Sequence, residues 1–217
     1  MLSHIVTSFL AVAVALFPIV NPIGMVPVFI QLTEGSTDTV RAAVAMRIAV
    51  GGLCLMLGAL FVGSYILAFF GLTIPAVQVA GGLLVISTGW RLMNQGDTDR
   101  QGSQVGKVPA EVILRRSFFP LTMPLTVGPG TISVAIVMGS KSASSDSILI
   151  DAIGAVAGVV LVAAAIYICF RYATRVIGFL GPEGSDVVTR LSAFILMCLG
   201  VQILWNGYTA LAALGGH

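Results

Sequence analysis

Charge is what this sequence has least of. Lys, Arg, Asp and Glu make up 9% of its 217 residues, against about a quarter in an ordinary soluble domain. So few solvating groups cannot cover a water-soluble globule in which 57% of residues are hydrophobic. The mean hydropathy of +1.02 agrees, and the chain reads as a polytopic membrane protein whose surroundings are the lipid bilayer. A net charge of +2, with no basic run interleaved with aromatics, excludes nucleic acid as a partner. Cysteine is scarce as well. Cys54, Cys169 and Cys198 lie in apolar stretches with no CxxC pair and no nearby His. A zinc or haem set is therefore ruled out, no cofactor is expected, and the thiols are expected to be buried and free.

What is present in quantity is apolar run. A bilayer core takes about 20 apolar residues as a helix, and the runs give six spans at 4–32, 43–70, 75–93, 117–139, 147–170 and 190–214. Ala13-Val14-Ala15 resembles a signal-peptide cleavage site, but no basic n-region precedes it, so the run is expected to remain as a span. The Lys and Arg residues set orientation. Arg41, Arg47, Arg91, Arg100, Lys107, Arg115, Arg116, Arg171, Arg175 and Arg190 fall in connections on one side, and only Lys141 on the other. Six spans with both termini outside the cytoplasm follow. Residues 94–116, rich in Gly, Gln, Ser and Asp, read as a cytoplasmic linker between three spans in 1–93 and three in 117–217. The segment 178–186, containing Gly181-Pro182-Glu183-Gly184, reads as a turn. With 25 glycines, close packing through small-residue faces is expected.

The two halves repeat. At an offset of 102, Phe17, Pro18, Pro22 and Pro27 fall on Phe119, Pro120, Pro124 and Pro129, and Ile23 falls on Leu125. At an offset of 111, Gly89, Arg91, Leu92, Met93 and Gly96 fall on Gly200, Gln202, Ile203, Leu204 and Gly207. Three spans per repeat is an odd number, so the second repeat enters the membrane from the opposite side. Inverted repeats of this kind recur in secondary transporters, whose binding sites lie at Pro/Gly-interrupted helices in corresponding positions. Proline withholds its N–H and clashes with the preceding turn, so helices one and four are expected to break across Pro18–Pro27 and Pro120–Pro129. Backbone freed at membrane depth is tolerated only where protein buries it or it lines a wet cavity.

The second half-helices, beginning near Ile23-Gly24-Met25 and Gly130-Thr131-Ile132, would present free N–H groups and positive dipole ends. Gly24, Gly128 and Gly130 would let a small ligand approach the backbone. The expected chemistry is capture of a compact anionic or zwitterionic group between two facing half-helix ends. The alternative is that the prolines only kink their helices. The binding candidates are Asn21, Pro22, Ile23 and Gly24 in the first break, with Thr122, Thr126, Gly128, Gly130 and Thr131 in the second. Asn21 either donates to a substrate carboxylate or caps the second half-helix. Of the threonines, at least one is expected to bond back to its own helix. Gln202 and Asn206, four apart on span six, either line the pathway or hold helices together. Gln78, Ser87 and Thr88 are weaker candidates of the same kind. Arg115 and Arg116 serve as cytoplasmic anchors, or one of them reaches a substrate carboxylate. Trp90 and Trp205 fit interfacial belts. No acid lies deep in a span; Asp146 and Asp151 stand near the outer end of span five. Proton coupling would then need Asp151 or the substrate itself, and sodium held by unwound carbonyls is the other route.

These residues carry a family resemblance. Asn21-Pro22-Ile23-Gly24 in span one and Pro124-Leu125-Thr126-Val127-Gly128-Pro129-Gly130-Thr131-Ile132 in span four resemble the MarC family of bacterial inner-membrane proteins. So do Ala80-Gly81-Gly82 in span three, and Gly200-Val201-Gln202 with Asn206-Gly207 in span six. That family includes the SnatA-type small neutral amino acid transporters and resembles the wider LysE-type exporter group. The resemblance implies a multi-pass inner-membrane protein and, for the transporter branch, movement of glycine, alanine or similar amino acids.

An enzyme is the competing class. A six-helix thiol–disulfide electron carrier also breaks its helices at prolines, but its chemistry needs a cysteine at each break, and neither break has one. Intramembrane proteolysis would need a buried Asp pair or an HExxH helix, and the sequence offers neither. The expectation is therefore a transporter and not an enzyme. The alternative is a channel, or a structural or partner-binding membrane protein. The sequence gives no oligomeric state, coupling ion or direction of flux.

Overall fold

A computed structural model describes residues 2–33, 35–94, 122–123, 126–143 and 148–215. Among these there is no strand, and the fold is all-helical. The helices are α1 (Leu2–Val20), α2 (Val26–Leu32), α3 (Asp38–Phe69), α4 (Ile74–Asn94), α5 (Pro129–Ala143), α6 (Ile148–Arg171) and α7 (Ala173–Gly215). Among the described residues, five helices are long and apolar enough to cross a membrane, at Ser3–Val20, Asp38–Phe69, Ile74–Asn94, Ile148–Arg171 and Asp186–Ala213. Pro129–Ser140 is apolar but shorter. The linker 95–116 and the opening of the expected fourth span lie outside the described residues.

Local chemistry explains the helix ends. Thr37 caps α3 by accepting from the Val40 N–H, and Asp38 sits in the first turn against the positive dipole end. At the other end Gly71 takes φ +67°, while the N–H groups of Gly71 and Leu72 close on the carbonyls of Ala68 and Leu67 at 3.1 and 2.9 Å. This paired closure satisfies the last carbonyls and turns the chain into α4.

The first break is narrower than the proline spacing suggests. Pro18 lies inside α1, and the Asn21 N–H still reaches the Phe17 carbonyl at 2.9 Å. Pro27 falls in the first turn of α2, where a missing N–H leaves no bond unmade. Only Pro22 stands in the gap, which runs from Asn21 to Met25. In the fourth segment Pro120, Pro124 and Leu125 lie outside the described residues. Pro129 is the first residue of α5, the position its fixed φ suits best. Before it, the Val127 N–H spans five residues to the Thr122 carbonyl at 2.8 Å, a wide turn in place of regular helix.

The expected turn at 178–186 is mostly helical. A single residue, Gly181 (φ 69°, ψ 174°), interrupts α7. Pro182 excludes α geometry from the residue before it, and only glycine enters this conformation freely.

Small residues let the helices approach. α1 runs parallel to α6, with Gly154 against Ile5, Ser8 and Phe9, and Gly158 against Phe9, Val12 and Ala13. α3 packs on α5, with Gly63 facing Ile136 and Gly139 on the backbone of Leu60, while Gly52 faces Val127 just before α5. α4 and α7 run antiparallel in the most extensive helix–helix contact. There Gly82 meets Gly200, Gly89 meets Ala193 and Met197, and Gly207 meets Pro75 and Val79. α3 also packs on α6. The core holds Leu16, Ile48, Met56 and Ile166, all fully buried, and Phe29 stacks on Phe170 with centroids 4.5 Å apart. The outward faces stay apolar, with Tyr65, Phe69 and Leu149 exposed. Trp90 and Trp205 are exposed too, consistent with a place at the membrane boundary. The cysteines are free, but the expectation that they are buried fails: Cys54 and Cys198 are exposed and Cys169 is half-buried. They face outward from their helices, where apolar character suffices.

Candidate functional site

The second break opens a cavity of about 280 Å³. One wall is the break itself, with Thr126, Gly128, Pro129, Gly130 and Thr131. The facing wall is one side of α4, with Leu84, Val85, Thr88, Arg91 and Leu92 at helical spacing and Ser87 beside them. Ile19 in the last turn of α1, Met25 and Leu196 of α7 complete it. Its volume is at the low end for a ligand site, which favours a small molecule.

Two helix ends meet here. α5 begins at Pro129, so the first N–H groups of its opening turn have no partner within the helix and carry the positive dipole end. α1 stops at Val20 with its last carbonyls uncommitted, and Pro22 withholds the N–H that the Pro18 carbonyl would otherwise receive. The N–H-bearing start of α5 thus lines the cavity, and the carbonyl end of α1 reaches it at Ile19. Among the described residues no Asp or Glu lines it, and Arg91 is its one charged side chain.

Within the second break the threonines differ. Thr122 and Thr126 are buried, and both have bonding partners. Thr131 is 2% exposed and lines the cavity. Gly130 packs on Val85, and Ser133 donates to the Val77 carbonyl at 2.9 Å. Together these fasten the start of α5 to α4.

The first break is closed where the second is open. Asn21 sits at φ 47°, and its side-chain oxygen accepts from the Gly24 N–H at 3.2 Å. The capping role is the one the geometry favours. Its amide nitrogen is buried without a partner. Gly24 lies against the Asn21 side chain and Ser192 of α7, leaving no room there for a Cβ. Pro22 is buried and Ile23 exposed. None of the four residues from Asn21 to Gly24 lines the cavity; Met25, the next residue, does.

Gln202 and Asn206 stand apart from this site. Both are exposed, and the Gln202 amide donates to the Asn206 side-chain oxygen at 2.9 Å. They satisfy each other along one helix; they neither line the cavity nor bridge two helices. Ser87 and Thr88 do reach the cavity, while Gln78 packs against Gly207. Arg115 and Arg116 lie outside the described residues. Asp151 is buried in the first turn of α6, where the Ser8 hydroxyl donates to it at 2.7 Å across the α1–α6 interface. Among the described residues no group of His, Cys, Asp and Glu could hold a metal ion.

Sequence reasoning missed Arg91 and the apolar liners. Arg91 counts among the cytoplasmic charges, which hides its second property: Leu84, Thr88, Arg91 and Leu92 fall on one face of α4 by the three-and-four spacing. The signal was present, but which partner that face meets is a tertiary fact.

Comparison with known proteins agrees with the sequence motifs. The profile described as "MarC family integral membrane protein" matches residues 6–212. A "UPF0056 membrane protein" of Buchnera aphidicola subsp. Schizaphis graminum is 32% identical over 194 residues, covering 89% of this chain and 88% of the relative. "UPF0056 membrane protein YhcE" of Escherichia coli K12 is 31% identical over 197 residues, 89% of this chain and 88% of that one. "UPF0056 inner membrane protein MarC" of Escherichia coli O1:K1 is 29% identical over 201 residues, covering 89% and 90%. No solved structure matches the chain.

Proposed function

The chain belongs to the MarC family of integral membrane proteins, and from that premise we propose that it is a secondary transporter of small neutral amino acids. The substrates are of the glycine and alanine class, the mechanism is alternating access, and no catalysis is involved. The observation that carries this reading is the cavity between the carbonyl end of α1 and the N–H end of α5. A zwitterion has the complementary polarity, a carboxylate for the N–H groups and an ammonium for the carbonyls. The apolar liners Leu84, Val85 and Leu196 suit a short aliphatic side chain.

The transporter architecture in this reading is two inverted three-helix repeats, 1–93 and 117–217, in six spans with both termini periplasmic. The helix pairing supports it. Exchanging the halves turns the α1–α6 pair into the α3–α5 pair and returns the antiparallel α4–α7 pair to itself. Gly52, which faces Val127 just before α5, and Gly154, which faces α1, are also 102 residues apart. The proposed substrate-binding residues are Thr126, Gly128, Gly130 and Thr131, with Asn21 and Gly24 holding the first break in shape.

Purified protein tested by thermal unfolding against a panel of amino acids should be stabilised by glycine or alanine, because a ligand of the native state alone raises Tm. In liposomes the same amino acids should cross the membrane under an imposed gradient. A protein that neither responds to nor moves any amino acid in the panel is a channel for something else or a structural subunit, and the proposal fails.

A further inference from the structure

Among the described residues Arg91 is the one charged side chain on the cavity wall, and it stands in the last turn of α4, where a cation also suits the helix dipole. Among the described residues it has no ion-pair partner. On the same cavity are the buried Thr131 and the N-terminal turn of α5. Among the described residues no acid on the wall offsets these groups. Three donors of different kinds, a guanidinium, a hydroxyl and backbone N–H groups, are thus presented to one small volume.

We propose that Arg91 and Thr131 form, with the first turn of α5, a carboxylate-binding subsite, and that Arg91 makes the protein discriminate α-amino acids from their uncharged carboxyl derivatives. The proposal rests on the amino acid transport reading and names how that site recognises its ligand. The guanidinium fork matches the two oxygens of a carboxylate. The Thr131 hydroxyl takes up a position between it and the helix amides. Arg91 is itself exposed, so its part is attraction and bidentate geometry, which a ligand without a carboxylate cannot use.

The test uses the purified full chain and three probes: alanine, alaninamide, which lacks the carboxylate, and propionate, which lacks the ammonium. Wild-type protein should be stabilised by alanine and not by alaninamide, with propionate intermediate. Arg91→Gln should weaken alanine binding about tenfold and narrow the gap between alanine and alaninamide. Arg91→Lys, which keeps the charge and the membrane anchor but not the fork, should retain part of the gap. Thr131→Val, which removes only the hydroxyl, should weaken alanine roughly fivefold. If Arg91→Gln binds alanine as wild type does and keeps its preference over alaninamide, Arg91 is an anchor alone and the subsite is wrong. If the wild type responds to none of the probes, the transport reading itself has failed, and the subsite falls with it. The two failures are told apart by the wild-type curve.

Discussion

Asn21 shows what a single residue does here. Its backbone is held at φ 47°, a region that costs a side-chain-bearing residue about 1–2 kcal/mol and that asparagine enters more readily than most. Its side chain repays part of that by accepting from Gly24. Asn21→Ala should therefore lower stability by about 1–2 kcal/mol. Asn21→Gly, which keeps the backbone freedom and removes the buried unpaired amide, should recover most of the loss. Thermal unfolding of the two variants in detergent checks this, and equal damage from both would show that the amide has a partner outside the described residues. Gly139 makes a second case. A Cβ there would strike the backbone of Leu60, so Gly139→Ala should cost roughly 1–3 kcal/mol by forcing α3 and α5 apart. At this scale the sequence was a fair guide to which residues are special and a poor guide to why. Asn21 was legible as either donor or cap. Only the packing of Gly24 onto Ser192 separates the two, and that contact joins residues far apart in the chain.

The broken helix is the unit that makes the cavity. Of the three prolines in the first span, Pro22 alone stands between α1 and α2. Pro22→Ala would return an N–H to the Pro18 carbonyl and let α1 run on past Val20. The expected outcome is weakened alanine stabilisation with little loss of intrinsic Tm, and the paired readout of ligand response and unliganded Tm checks it. Unchanged ligand response would mean that the end of α1 contributes nothing to binding. Individual helices were legible, because runs of apolar residues set their rough length; α4 and α6 begin and end within a residue of the hydrophobic runs at 75–93 and 147–170. Among the described residues, however, five helices, against six expected, are long and apolar enough to cross a membrane. The extent of the breaks was not legible. Proline marks where a helix is weakened, yet Pro18 is tolerated inside α1 and Pro27 inside α2, since the first sits within a turn that still closes and the second needs no N–H. The helical content around Gly181 was hidden for the same reason: Gly-Pro reads as a turn, whereas one glycine suffices to redirect a helix that continues on both sides.

For the whole molecule, the positive residues predict an orientation that a reporter can read. A C-terminal alkaline phosphatase fusion should be active and a fluorescent-protein fusion at the same end dark, as a periplasmic C-terminus requires. The opposite pattern would invert the proposed topology and leave the cavity facing the other side. The proline spacing points to a repeat, but it does not tell how the two breaks differ. One break packs against α7 while the other stands off α4 around a cavity. Two related sequences in different conformations are what alternating access needs, and no residue pattern tells which half is open.

A pocket whose main polar groups are helix ends resists loss in an unusual way. A side chain can be deleted by one base change, but a peptide N–H or carbonyl cannot. In the proposed transporter, mutations that abolish transport should accordingly gather at residues such as Gly130, Pro129 and Pro22, which shape the main chain. The genetic footprint of such a site is a map of glycines and prolines, and a mutational scan scored on amino acid flux would draw it.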